Sequence, residues 1–136
     1  MKKLSTLYVI FTILITSTVY ADTVFYCQSE LATGFIKKNG VWKTTNFNLT
    51  RYTIKFNDDY SVLTGLDEGL PFICRPPYGS VPNMLACLSS YGNAQSFLFD
   101  KQTNRFVLSF AKVSGYLTNE SDSDTENLYA GICQTF

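Results

Sequence analysis

The side chains that could perform acid–base chemistry in this sequence are carboxylates, because the 136 residues include no histidine. Without an imidazole there can be no Ser-His-Asp or Cys-His nucleophile and no histidine-ligated zinc or haem. The carboxylates at Glu30, Asp58-Asp59 and Asp67-Glu68 fall in predicted turns, where Asp and Glu are common. Adjacent carboxylates on an extended chain point to opposite sides, which makes each neighbouring couple a poor acid–base pair. We therefore expect no catalytic residues, no cofactor and no enzyme.

A second group of carboxylates lies in the segment Ser121-Asp122-Ser123-Asp124-Thr125-Glu126. Calcium loops use this alternation because successive oxygens can surround one ion. The glycine that an EF-hand loop requires is missing, and no flanking helices are predicted. We interpret the segment as a solvated acidic loop, with weak adventitious calcium binding as the alternative, and we expect no metal site.

Residues 1–21 have the three parts of a bacterial export signal. Two lysines near the start precede an apolar run from Leu7 through Ile15, and Val19 and Ala21 supply the residues that signal peptidase requires. The run is too short to span a bilayer, which takes ~20 residues. We expect cleavage after Ala21, a single domain of residues 22–136 in the periplasm or the medium, and no remaining membrane anchor.

The charge of the chain is balanced, with 11 basic and 11 acidic residues. Loss of the two lysines of the signal would leave nine basic against eleven acidic residues, a net charge of −2. No stripe of Lys and Arg is present, so nucleic acid is excluded as a partner.

The remaining sequence has a period of two, which indicates antiparallel strands covered on one face. The segments Arg51 to Phe56 and Arg105 to Phe110 both alternate in this way. The inward positions are expected to be Tyr52, Ile54, Phe56, Phe106, Leu108 and Phe110. Turn residues at short intervals predict an all-β fold, a small antiparallel barrel or sandwich of about eight short strands.

Two segments make this prediction specific. Asn39-Gly40 is a strong two-residue hairpin signal, and its register would pair Lys37 with Trp42. Residues 83–91 fit either a short helix that stops at Gly92 or a strand, and we favour the strand because the neighbouring segments are strands.

The four cysteines are scattered, which favours disulfides over a metal site. The sequence allows three connectivities. A closed antiparallel sheet places its first and last strands side by side, so we expect Cys27–Cys133 together with Cys74–Cys87. The crossed pairing is the main alternative.

The strongest candidate for a contact surface is the proline-rich segment 75–83 between Cys74 and Cys87. Arg75 offers a fixed fork of donors and Tyr78 a rigid ring, and a stiff loop loses little freedom on binding. A rigid connection with no partner is the alternative.

Motifs near the two ends of the chain resemble those of a known group of proteins. They are Tyr26-Cys27 followed by Gly34-Phe35, and the closing Gly131-Ile132-Cys133. With Trp42 and Phe47 they resemble small exported bacterial proteins of unknown function, which implies no activity. More distantly, the small exported barrel with terminal cysteines is similar to periplasmic lysozyme inhibitors, but no inhibitory motif can be matched.

Three functions remain open after these exclusions. A non-enzymatic binding or inhibitory module with a protein partner is favoured, followed by a histidine-free hydrolase that uses carboxylates and a barrel that holds a small apolar ligand. An empty interior with converging carboxylates would favour the hydrolase. A filled interior with an exposed aromatic or arginine patch would favour the binding module.

Overall fold

The computed structural model describes residues 22–67, 69–77, 79–92, 94–111, 115–118, 121 and 123–135. The described residues contain nine β-strands and no helix, and hence no helix able to cross a membrane. The strands are β1 (Thr23–Lys38), β2 (Val41–Asn46), β3 (Arg51–Phe56), β4 (Val62–Thr64), β5 (Phe72–Arg75), β6 (Met84–Ser89), β7 (Gln95–Asp100), β8 (Arg105–Phe110) and β9 (Asp124–Thr135). The predicted export signal, residues 1–21, lies outside the described residues.

Strands β3 to β9 follow one another around the sheet in chain order, and β1 pairs with both β3 and β9. All of these pairings are antiparallel, and the pairing of β1 with β9 closes the sheet into an eight-stranded barrel. Disulfides join Cys27 to Cys133 and Cys74 to Cys87. The all-β barrel and the favoured connectivity are therefore confirmed.

Strand β1 is unusually long, with 16 residues, because it serves two neighbours in succession on one side. Its first part pairs with β3 and its second part with β2, while β9 follows the other side. Where the neighbours change, the backbone N–H and the hydroxyl of Ser29 both donate to the carbonyl of Thr50, and the Thr50 N–H donates to the Ser29 hydroxyl. Residues 33–38, β2 and residues 124–126 thus form a three-stranded sheet beyond the ring, here called the extension.

The interior of the barrel is filled by aromatic and aliphatic side chains. Phe97 stacks against Phe106 and Phe99, with ring centroids 5.5 and 6.1 Å away, and Phe99 stacks against Phe56 at 5.5 Å. The predicted alternation holds in β3, where Ile54 and Phe56 are fully buried. The other buried hydrophobic side chains are Phe25, Leu63, Leu66, Phe72, Leu85, Leu108, Tyr129 and the four disulfide-bonded cysteines.

The predicted hairpin and the ambiguous segment are also settled. Asn39 and Gly40 have positive φ angles of 51° and 76°, as a tight two-residue turn requires, and Lys37 lies opposite Trp42. Residues 84–89 form strand β6, so the strand interpretation was correct.

Gly131 lets β1 and β9 approach closely beside the bulge that follows Ser29. A Cβ atom at Gly131 would lie 2.1 Å from the carbonyl oxygen of Gln28 and 2.7 Å from the Cα of Ser29. Both are backbone atoms of β1 and cannot swing aside. A side chain at position 131 would therefore clash with β1, which explains why the Gly131-Ile132-Cys133 motif begins with glycine.

Candidate binding surface

A continuous line of apolar side chains crosses the outer face of the barrel. Directly opposite residues on neighbouring strands point to the same side of a sheet. The registers place Leu31 opposite Ala130, Ala130 opposite Val107, Val107 opposite Leu98, and Leu98 opposite Ala86. These five residues, here called the apolar row, come from five adjacent strands and span about 19 Å at the usual strand spacing.

Further exposed aliphatic residues adjoin the apolar row. Leu88 and Leu128 lie two residues from Ala86 and Ala130 on the same strands, and Ile73 lies directly opposite Leu88. Leu31 is 69% exposed and Leu88 60%, and Leu98, Val107, Leu128 and Ile73 also keep more than a third of their surface exposed. Together with the apolar row they form what we call the apolar face.

The apolar face explains a feature of the sequence that alternation alone does not. Phe97-Leu98-Phe99 and Phe106-Val107-Leu108 are uninterrupted apolar triplets whose middle residues point outward. Strands with one solvated face normally carry polar residues at such positions, whereas continuous apolar runs are typical of strands covered on both faces. Large exposed apolar patches of this kind mark interaction sites.

Arg75 stands at one end of the apolar row, directly opposite Ala86. It is exposed, and an open groove beside it is lined by Ile73, Pro76, Pro77, Ala86 and Leu88. The buried Cys74–Cys87 disulfide lies on the inner side of the same two strands, where it fixes their separation. The sequence-predicted contact residue thus adjoins the apolar face, and Tyr78 lies outside the described residues.

A row of mainly polar side chains, interrupted by the exposed Ile132, runs alongside the apolar row. It begins with Arg51 opposite Gln28, continues through Ile132, and ends with Arg105 opposite Asp100. A second open groove crosses this boundary and is lined by Leu98, Val107, Arg105 and Asp100, among other residues. An apolar centre with arginines at its border is the composition usual for protein interfaces.

The end of the barrel next to the extension holds a pair of tyrosines in contact. Tyr52 packs edge-on against Tyr129, with centroids 6.4 Å apart, and the Thr50 hydroxyl donates to its oxygen. Burial raises the pKa of Tyr52 above its ordinary value, and nearby Tyr129 raises it further, although the bond from Thr50 acts in the opposite direction. Burial also raises the pKa of Tyr129. Both phenols therefore favour the neutral form.

The carboxylates considered above do not all lie in turns as predicted, because Glu30 lies within β1 at the bulge. The Asp59 carboxylate accepts a hydrogen bond from the Ser61 N–H, 2.9 Å away, and hydrogen bonds from Ser61 lower its pKa. Asp59 therefore stabilises a turn.

The predicted acidic loop is wrong from Asp124 onward, where Asp124, Thr125 and Glu126 belong to β9. Next to this strand, the buried ammonium of Lys37 donates to the carbonyl oxygen of Ser121. No group of three or more potential metal-ligating side chains occurs within the described part of the chain.

Comparisons of the chain with protein-family models, with curated proteins and with solved structures found no match. The resemblance to small exported bacterial proteins therefore stays a prediction. Arg75 stays a predicted contact residue, and the apolar face beside it was not predicted from the sequence. The sequence does contain apolar residues at the outward positions of its strands. Only the registers of six strands show that these residues lie next to one another.

Proposed function

We propose that this protein is a non-enzymatic binding module that docks a partner protein on the apolar face. The observation that carries the proposal is the apolar row, whose side chains lie in register on five strands yet face outward. The partner surface would be apolar at its centre and would present a carboxylate to Arg75, because a guanidinium fork matches a carboxylate.

The filled interior supports this proposal over a ligand-binding barrel. Large side chains occupy much of the barrel interior, including Phe56, Phe72, Phe97 and Phe99, all at most 1% exposed. The outer surface is therefore the part of the barrel best placed for recognition. A rigid barrel also suits binding, because side chains on paired strands lose less freedom than those on loops.

The proposal includes export from the cytoplasm. Two disulfides indicate an oxidising environment outside the cytoplasm. The predicted signal in residues 1–21 favours the periplasm or the medium of a bacterium as the specific location. A partner would then be another exported protein or a protein exposed at the cell surface.

Site-specific photo-crosslinking tests the proposed surface. A photo-reactive residue replaces Leu98 in the apolar row or, as a control, Thr53, which is exposed on the outer side of β3. We expect a discrete adduct of one partner protein from position 98 and none from position 53. Absence of a 98-specific adduct in the exporting cells would contradict the proposal.

A further inference from the structure

Strand β2 has a neighbouring strand on one side only. It lies at the end of the sheet order, pairs with β1, and stands outside the ring that β1 and β9 close. Its register with β1 is regular from Val41 to Asn46. The outer edge of β2 is therefore an open sheet edge on the described part of the protein.

The backbone groups on that edge can be assigned from the hairpin. In a two-residue hairpin the pair next to the turn, here Lys38 and Val41, exchanges backbone hydrogen bonds, and every second pair after it does the same. The N–H and C=O groups of Thr44 and Asn46 consequently point away from β1. No other described segment makes a backbone hydrogen bond to either residue.

Most of the features that usually protect a sheet edge are missing from β2, with Lys43 as the exception. Natural edges are blunted by proline, by bulges or by charged side chains, lysine in particular. The sequence Val-Trp-Lys-Thr-Thr-Asn has no proline, its pairing with β1 has no bulge, and Lys43 is its one charged residue. An edge of this kind is a ready template for another strand.

We propose that a second copy of this protein pairs antiparallel with β2 along this edge. With the two-fold axis at Thr45, Thr44 of each copy faces Asn46 of the other. The two facing pairs then exchange four backbone hydrogen bonds in total. The facing Thr45 side chains form a favourable cross-strand pair.

The charges and the symmetry favour a second copy over a foreign strand. In this register Lys43 faces position 47 of the other copy, so the two ammonium groups are not opposed. The contact is isologous, and each copy uses its open edge once, which closes the assembly as a dimer and prevents a fibre. Val41 and Phe35, both at least half exposed, lie on or beside the edge and add apolar surface.

The first test measures the mass of residues 22–136 by analytical ultracentrifugation over a range of concentrations. We expect a reversible species of twice the chain mass. Thr44→Pro removes an outward N–H while leaving the bonds to β1 in place, so it should yield monomers. Thr44→Val keeps the N–H and a β-branched side chain, and it should remain dimeric. Monomers of the unaltered protein at every concentration would overturn the proposal, as would a dimer that survives Thr44→Pro.

A second test does not depend on the folding of the proline variant. Thr45→Cys places a thiol on the two-fold axis, where directly facing residues lie close enough for a disulfide. Mild oxidation should link two copies of Thr45→Cys but not two copies of Lys43→Cys, whose side chains are offset by four residues. Equal linkage of both variants, or of neither, would overturn the proposed pairing. Neither result affects the proposed binding role of the apolar face, which is formed by other residues.

Discussion

Cys27 in β1 lies directly opposite Cys133 in β9, with their Cα atoms 3.9 Å apart, and their disulfide joins the two strands that close the barrel. The two residues are separated by 106 positions in the chain. The second disulfide, Cys74–Cys87, also joins directly opposite residues on paired strands, but its sequence separation is only 13. The same local geometry therefore closes a very long loop in one case and a short hairpin in the other.

This difference in loop length leads to a prediction about stability. Cross-linking a loop of about 100 residues lowers the entropy of the unfolded chain by the equivalent of about 4.7 kcal/mol, against about 3 kcal/mol for about 15 residues. Replacing Cys27 and Cys133 by Ala should therefore lower the free energy of unfolding more than replacing Cys74 and Cys87. Urea unfolding of the two double variants measures the difference, and an equal or reversed order would contradict it.

A second prediction concerns the close approach of β1 and β9 at Gly131. Gly131→Ala places a methyl group against the backbone of Gln28 and Ser29, so we expect a loss of about 3 kcal/mol or more in the free energy of unfolding. Gly79→Ala is the matched control, because a Cβ atom at Gly79 would have no neighbour within 4 Å. Thermal unfolding compares the two, and similar melting temperatures would show that the strands can separate to admit the methyl group.

A third prediction follows from the lowered pKa of Asp59. Hydrogen bonds from Ser61 favour the charged carboxylate in the folded state, so its stabilising effect is present at neutral pH and is lost as the pH falls below about 4. Asp59→Ala should therefore be less stable than the unaltered protein at neutral pH, and the difference should shrink in acid. Melting temperatures of both proteins across this pH range measure the effect, which a pH-independent difference would contradict.

A fourth prediction concerns the raised pKa of Tyr52. Burial disfavours the phenolate, so the pKa of Tyr52 is higher in the folded protein than the value of about 10 in the unfolded chain. The contribution of Tyr52 to the free energy of unfolding is therefore present below about pH 10 and is lost as the pH rises above that value. Tyr52→Phe loses the hydrogen bond from Thr50 and should cost about 1 kcal/mol near neutral pH. The variant should then lose less stability than the unaltered protein above about pH 10. Urea unfolding of both proteins, measured below and above about pH 10, would show their free energies of unfolding converge. A difference that stays constant with pH would contradict the prediction.

Local patterns in the sequence predicted much of the fold. The alternation of Arg51 to Phe56 and the Asn39-Gly40 turn depend on neighbouring residues alone, and both appear as expected. The cysteine pairing followed from the neighbourhood of the first and last strands in a closed sheet. All of these features follow from the two-residue period of the strands or from the closing of the sheet into a barrel, and a single sequence can indicate both.

Other features depend on registers that local patterns do not contain. Strand β1 continues through the bulge at Glu30, where a turn was predicted, and changes partner from β3 to β2, so it is far longer than a typical strand. The apolar face likewise depends on the relative positions of six strands. Leu98 and Val107 are 9 positions apart in the sequence and become neighbours only through the pairing of β7 with β8.

The most direct test of the proposed function is the affinity for the crosslinked partner after the apolar face is made polar. The double variant Leu88→Ser/Leu98→Ser changes two exposed side chains, so its melting temperature should stay close to that of the unaltered protein. Its affinity should fall by about 2 kcal/mol or more, roughly thirtyfold in Kd, because these two leucines supply much of the exposed apolar surface of the apolar face. The matched control Leu117→Ser changes a leucine that is 81% exposed and outside the apolar face, and it should bind normally. Calorimetric titration of the three proteins with the partner gives the result, and an unchanged Kd for the double variant would contradict binding by the apolar face.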